Sequence, residues 1–188
     1  KNLDLIAPFN KLENIDFHQT DVRDLSNARK IFEDVDSVFH NVALVPITKS
    51  SNYGETNILG TQNTIEMAIK TGVKSFIYTS SSAVFGVPKK NPVRIHDIPL
   101  PAEKYGQSKL RNELFAQSNY KKFDISFIGL RFFSVYGPFG RPDMAYFKFT
   151  DAISKQEELI LNNEGKMKRD MTYIDDVVNG IMLSINYI

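Results

Sequence analysis

Ser75–Gly86 reads SFIYTSSSAVFG, and this stretch decides the fold. Its first half, Ser75 to Thr79, is apolar, aromatic and β-branched, the composition of a buried strand. The run does not close on an ordinary turn. Thr79, Ser80, Ser81 and Ser82 crowd the point where the strand ends. Hydroxyls are poor core material, because each must be hydrogen-bonded once it leaves water. A strand that ends in hydroxyls therefore points to a site at its carboxyl end.

Outward from this strand, short apolar runs alternate with helical patterns. Upstream, Asn14 to Gln19 reads as a strand by alternation, and Asp24 to Phe32 as a short helix whose first turn Ser26 can cap. Asp36 to His40 is strand-like. Asn57 to Lys70 is helical, with Leu59, Ile65, Ala68 and Ile69 apolar and Gly72 as its stop. Downstream, Tyr105 to Ser118 is a helix with Leu110, Leu114 and Phe115 on one stripe, and Ile125 to Leu130 is a nearly continuous apolar strand. This order predicts βαβ units and a parallel sheet covered on both faces, an α/β fold of the doubly wound, Rossmann-like kind. From Pro138 the pattern changes. The residues PFGRPD break it, a helix follows over roughly 143–154, Leu159 to Leu161 reads as a lone strand, and Ile174 to Ile185 is a helix begun by Asp175 and Asp176. The expected division is a dinucleotide-binding unit over 1–137 and, over 138–188, part of a smaller region with one segment returning to the first.

Composition excludes several classes. The chain has 188 residues, 42% hydrophobic and 24% charged, which suits one domain with a real core. A net charge of +1 gives no footprint for nucleic acid or a membrane surface. Without cysteine there is no disulfide frame, thiolate nucleophile or thiolate metal site, and no metal centre is expected. No apolar run approaches the roughly 18 residues of a membrane span, and KNLDLIAPFN is not a signal peptide. A cytoplasmic location is the expectation.

In open α/β sheets, ligands bind beyond the carboxyl ends of the strands. Asp21, the His40–Ala43 segment, the serine cluster, and Arg131 with Ser134 all fall at such ends. Tyr105 and Lys109, spaced i and i+4, share one helical face. An ammonium near a phenol favours the phenolate and lowers its pKa, which makes the tyrosine a base near neutral pH. By spacing alone an ordinary surface pair is the favoured reading, since chance supplies roughly one such pair in a chain like this.

The combination is more specific. The strand with SSSAVFG, then YGQSK at Tyr105–Lys109, then LRFFSVYGP resembles the extended short-chain dehydrogenase/reductase family, the NAD-dependent nucleotide-sugar epimerases and dehydratases. TDVRD, the end of the His40 strand, NILGT from Asn57 and RDMTYIDD from Arg169 extend the resemblance over nearly the whole chain. FFSVYGPFGRPDMAYFKF and KMKRDMTYIDD look most like the UDP-glucuronate 4-epimerase branch.

The resemblance implies a role for each matching residue. Tyr105 would be the base, and Lys109 would tune it while bonding the nicotinamide ribose. Ser81, four residues before Phe85, would bond the sugar O4 and help pass its proton. The implied reaction is transient oxidation: C4 gives hydride to NAD, the 4-keto sugar turns over, and hydride returns to its other face. The dehydratases carry an Asp-Glu pair after the catalytic hydroxyl, where this chain has Ser82 and Ala83, so epimerisation is implied. Ser82, Ser134 and Arg141 would contact the sugar, and Arg169 the UDP diphosphate. A strand-end hydroxyl bonded to backbone is the plain alternative for Ser134. For the cofactor, Asp21 would bond the adenine amino group, Val22, Val42, Ala43 and Thr79 would line it, Asn57 would lie near it, and Asp4 would hold the adenine ribose or be a loop aspartate. Thr79 and Ser80 would finish the strand and bond backbone. His40 reads as structural, His18 and His96 as solvated or strand residues.

The family also implies a G-x-x-G-x-x-G phosphate loop, and none occurs among the ten glycines. The chain is therefore expected to start at the end of the second Rossmann strand, without the first strand and glycine-rich loop, and to stop where relatives continue into a substrate domain. A homodimer through the Asn57 and Tyr105 helices is implied. Other readings of the same residues are a UDP-glucose or UDP-N-acetylglucosamine epimerase, or a non-catalytic NAD(P)-binding protein on the same fold.

Overall fold

The computed structural model describes residues 13–46 and 52–187. Among these, three parallel strands form the central sheet in the order β1 (Ser37–His40), β2 (Ser75–Ser81), β3 (Ser126–Phe132). Ser37 pairs with Ser75 and Ser75 with Ser126, so the three strands start in register. Each connection is a helix, as parallel pairing requires. Between β1 and β2 run π-helical turns at Gly54–Leu59, continued by α2 (Gly60–Thr71); between β2 and β3 runs α3 (Lys104–Tyr120). A short α1 (Arg29–Phe32) precedes β1.

Side chains alternate across a strand. Phe76 and Tyr78 of β2 pack with Ile65 and Ala68 of α2, Ala116 of α3, Val73 and Ile125, all buried. Ile77 points the other way and is fully buried too, so β2 is covered on both faces, as its unbroken apolar run requires. Gly72 ends α2 as expected, with φ +81°, and Val73 N–H reaches back to the Ala68 carbonyl at 3.0 Å.

Beyond β3 the chain leaves the sheet. β4 (Ser134–Tyr136) pairs in parallel with β5 (Met171–Tyr173), and α4 (Ala145–Lys155) lies between them in sequence. α5 (Ile174–Tyr187) follows β5 and comes back against β2.

Three local expectations fail and a fourth holds only in part. Residues 14–19 pair with no described strand, and Ile15 and Phe17 lie exposed; alternation without a neighbouring ladder does not make a strand. Ser26 caps nothing: its own N–H bonds Asp24, Leu25 and Ala28 make a turn, and α1 begins only at Arg29. Leu159 to Leu161 is not a strand, and all three side chains are exposed. The stripe of Leu110, Leu114 and Phe115 on α3 is buried only in part: Leu114 is 55% exposed, while Leu110 is half-buried and Phe115 packs against the core. Gly106, Ser108, Lys109, Asn112 and Ala116 are the buried residues of the helix. Their polar groups meet Asn57 of the π-helical turns, Thr61 of α2, Thr79 of β2 and the Tyr105 carbonyl, and among the described residues Asn112 Oδ1 is left without a partner.

Candidate active site

β2 ends at Ser81, and a single 3₁₀ turn, Ser82–Phe85, follows. Ser81 caps that turn, accepting the Ala83 N–H at 3.2 Å. Gly106 lets the start of α3 approach it: a Cβ there would stand 2.5 Å from the Ala83 carbonyl oxygen. Tyr105, on the preceding residue, is thereby set beside Ser81. One cleft of about 670 Å³ is lined by Ser81, Ser82, Ala83, Tyr105, Ser134 and Arg141, among others.

The electrostatics around Tyr105 differ from the expectation. Lys109 Nζ does lie over the Tyr105 ring, 5.9 Å from its centroid. It is not what sets the phenol. Burial pushes the Tyr105 pKa up from 10, while the adjacent Ser81 hydroxyl and then the Arg141 charge pull it back down. Lys109 is itself 4% exposed, and burial lowers its pKa to about 8. Its hydrogen bond among the described residues goes to the Thr79 carbonyl oxygen at 2.8 Å. An ammonium has three donors, so donors remain for a ligand. A buried cation with free donors fits the hydroxyls of a ribose.

A second cleft, about 840 Å³, is lined by Asp21, Val22, Arg23, Val42 and Leu44, among others. Arg23 grips the Asp21 carboxylate through Nε and Nη2 and also donates its backbone N–H, which lowers the Asp21 pKa to about 2. An ionised acid beside apolar Val22 and Val42 fits a flat base with a donor edge. Ala43 is half-buried next to them. The described residues thus fit the two ends of a dinucleotide. Asp4 lies outside the described residues.

Asn57 lies beneath the site rather than in it. It is fully buried, accepts Leu44 N–H at 2.7 Å, and donates to the Leu44 carbonyl and to Ser108 Oγ. Both ends of its amide are occupied by protein groups, so it shapes the 41–46 loop. Ser108 in turn donates to the Tyr105 carbonyl at 2.7 Å. His40 is structural, as expected. Thr61 Oγ1 gives its only proton to the Asn57 carbonyl, so the 3.0 Å contact to His40 must be donated by Nε2. Burial, and then the Lys109 charge, hold the His40 pKa down to about 4.

Ser134 lines the sugar-sized cleft and also a neighbouring one of about 370 Å³, which holds Ser82, Lys168 and Arg169. Arg141 is clasped by Asp143, with Nε and Nη2 bonds of 2.9 and 2.6 Å. Arg169 faces the neighbouring cleft and not the Tyr105 one.

Several features escaped sequence reasoning. Ser80 does not bond backbone; it donates to Glu113 Oε1 at 2.5 Å. Glu113 also pairs with Arg131, and the Arg131 guanidinium lies 4.7 Å from the centroid of the Phe85 ring. Tyr53 meets Tyr105 edge-on at 6.0 Å, and Glu103 lines the Tyr105 cleft. Only the position of Glu103, two residues before Tyr105, carried a signal in the sequence.

Known proteins are similar to this chain in sequence and fold. A protein of Methanocaldococcus jannaschii with no assigned function is 38% identical over 180 residues, covering 92% of this chain and 55% of that protein. The UDP-glucuronate 4-epimerase 4 of Arabidopsis thaliana is 36% identical over 177 residues, covering 88% of this chain and 40% of that protein. A crystal structure of UDP-glucuronic acid 4-epimerase from Bacillus cereus, in complex with UDP-glucuronic acid and NAD, superposes with a TM-score of 0.87 at 29% identity, covering 96% of this chain and 58% of that one. The chain spans about half the length of the curated relatives it matches. Among the described residues no helix is long and apolar enough to cross a membrane. A family model matches residues 4–187, and the chain belongs to the NAD dependent epimerase/dehydratase family.

Proposed function

We propose that the whole protein is an NAD-dependent 4-epimerase of a UDP-sugar, and that the sugar is glucuronate or galacturonate. The observation that carries this reading is the cleft in which Ser81 and Tyr105 face each other above buried Lys109, with Ser82 and Ala83 where a dehydratase of this family has acids. When bound, NAD supplies reversible oxidation at the sugar C4. Asp21, Val22, Val42 and Ala43 hold its adenine end, and Lys109 and Thr79 its nicotinamide ribose.

The chain's own residues control one proton and one orientation. Tyr105 takes the proton from the 4-hydroxyl and returns it to the same oxygen after the sugar has turned. Ser81 hydrogen-bonds that oxygen in both orientations. Lys109 keeps a positive charge under the site, while the Ser81 hydroxyl and then the Arg141 charge draw the phenol toward its ionised form against the effect of burial. For the uronate, the cleft offers the Arg141 guanidinium with the Ser82 and Ser134 hydroxyls, a donor set that matches a carboxylate. Arg169 faces the diphosphate from the adjoining cleft. Homodimerisation through α2 and α3 belongs to the same reading.

The test is incubation of the full-length protein with UDP-glucuronate and NAD, followed by chromatography of the nucleotide sugars. UDP-galacturonate is the expected product. Conversion of UDP-glucose or UDP-N-acetylglucosamine, with UDP-glucuronate untouched, overturns the uronate assignment. A 4-keto-6-deoxy product overturns epimerisation.

A further inference from the structure

The Glu113 carboxylate sits one helical turn past Lys109 on α3 and is 13% exposed. It accepts Ser80 Oγ at 2.5 Å and Arg131 Nε at 2.9 Å on one oxygen, and Arg131 Nη2 at 2.7 Å on the other. Arg131 stands opposite Ser80 in the ladder between β2 and β3. The guanidinium face lies 4.7 Å from the centroid of Phe85, the last residue of the 3₁₀ turn capped by Ser81. One ion pair therefore joins the helix that carries Tyr105 and Lys109 to the strand end and turn that carry Ser81. Ser80, Glu113 and Arg131 do not line the Tyr105 cleft.

The pair is a poor choice if packing were its only purpose. Desolvating two charges is costly, and apolar residues of like volume often serve stability as well. Arg131 Nη1 is also buried without an acceptor among the described residues, a further cost. What the pair supplies and apolar residues cannot is direction. A bidentate fork fixes distance and angle between the elements it joins.

We propose that the Glu113–Arg131 pair is a positioning device that sets the Tyr105 hydroxyl against the Ser81 hydroxyl, acting through Ser80 and Phe85. This rests on the catalytic reading given above. A displacement of about 1 Å at a reacting group can cost about 100-fold in rate. The pair touches no substrate group, so its loss acts on kcat and leaves substrate affinity alone.

The experiment uses the full-length protein with three variants. Glu113→Leu/Arg131→Met removes the pair without leaving a lone buried charge. Glu113→Gln keeps an acceptor for Ser80. Ser80→Ala cuts the strand end from an intact pair. The double variant is expected to lose about 100-fold in kcat, with KM, bound NAD and melting temperature close to the parent. Glu113→Gln sets an amide donor against Arg131, breaks the fork and should lose a similar factor even though Ser80 keeps its acceptor. Ultraviolet titration of Tyr105, taken as the difference from a matching Tyr105→Phe protein, should move upward in the double variant, because Ser81 no longer faces the phenol. Parental kcat and parental Tyr105 titration in the folded double variant overturn the proposal. If the double variant does not fold, Ser80→Ala decides on the same two readouts. If the protein epimerises no nucleotide sugar, the Tyr105 titration still decides, and an unmoved phenol overturns the positioning role by itself.

Discussion

Lys109 Nζ donates to the Thr79 carbonyl oxygen at 2.8 Å, and among the described residues no carboxylate pairs with it. The bond ties α3 to the end of β2, directly before the serine cluster. It also holds a cation in a site only 4% exposed. A buried ammonium is unfavourable for folding, and proteins keep such groups where function requires them.

Replacing that cation should therefore stabilise the fold and remove the activity. The folded Lys109 pKa of about 8 lies below its ordinary value of 10.5. Below pH 8 the lysine is charged in both folded and unfolded chains, and the full cost of burying it is present. Between pH 8 and 10.5 the folded chain sheds the proton first and the cost fades. Lys109→Met is expected to gain up to about 3 kcal/mol at pH 7 and little at pH 10.5, with turnover lost. Urea melts at the two pH values, beside an epimerase assay, check this. A variant less stable at pH 7 would show that the Thr79 bond outweighs the burial.

His40 acts with the same sign at acid pH. Its folded pKa of about 4 lies below the ordinary 6.5. Above pH 6.5 the ring is neutral in both states. As pH falls toward 4 the unfolded chain takes up a proton that the folded chain refuses, so stability drops by up to about 3 kcal/mol across that window. His40→Gln, which retains a donor for Thr61, should flatten this part of a stability-versus-pH curve. An unchanged acid limb would assign the loss to other groups.

The parts legible in the sequence were those whose signal is local. The β2 run, Gly72 at the end of α2, and the Tyr105–Lys109 spacing each rest on residues within one turn or one strand. The family resemblance then attached Ser81 to them. The buried face of α3 was not legible, because Ser108, Lys109 and Asn112 look like a solvated face until Asn57, Thr61 and Thr79 supply their partners. Glu113 and Arg131 are separated by a helix end and a strand, and they meet only because α3 packs across the β2–β3 register that sets Arg131 beside Ser80. The direction of the Tyr105 pKa is not legible for the same reason: spacing reports that a lysine is near, while burial, which raises it, is a property of the whole fold.

Gly129 offers a test of that register. It pairs with Tyr78 across β2 and β3, and a Cβ on it would stand 2.5 Å from the Tyr78 hydroxyl and 2.6 Å from Cζ. Tyr78 is buried in the core and cannot swing away cheaply. Gly129→Ala should cost about 1–3 kcal/mol by overpacking, read from denaturant unfolding. A neutral result would place the Tyr78 ring elsewhere.

Arg141 separates substrate recognition from proton control. Asp143 holds the guanidinium at Nε and Nη2, which fixes the fork without removing its charge from the Tyr105 cleft. That charge pulls the Tyr105 pKa down. Arg141→Gln should therefore do two things. It should raise KM for a UDP-hexuronic acid by about 10–100-fold, the worth of a charged hydrogen bond, and raise it much less for a neutral UDP-hexose. It should also move the rising, phenolate limb of the kcat–pH profile to higher pH, because the phenol loses a cation that favours its charged form. Initial-rate kinetics with both sugars across pH measure the two effects together. Equal KM changes for the charged and neutral sugars would remove Arg141 from carboxylate recognition, while a shifted pH limb would still keep it beside the base.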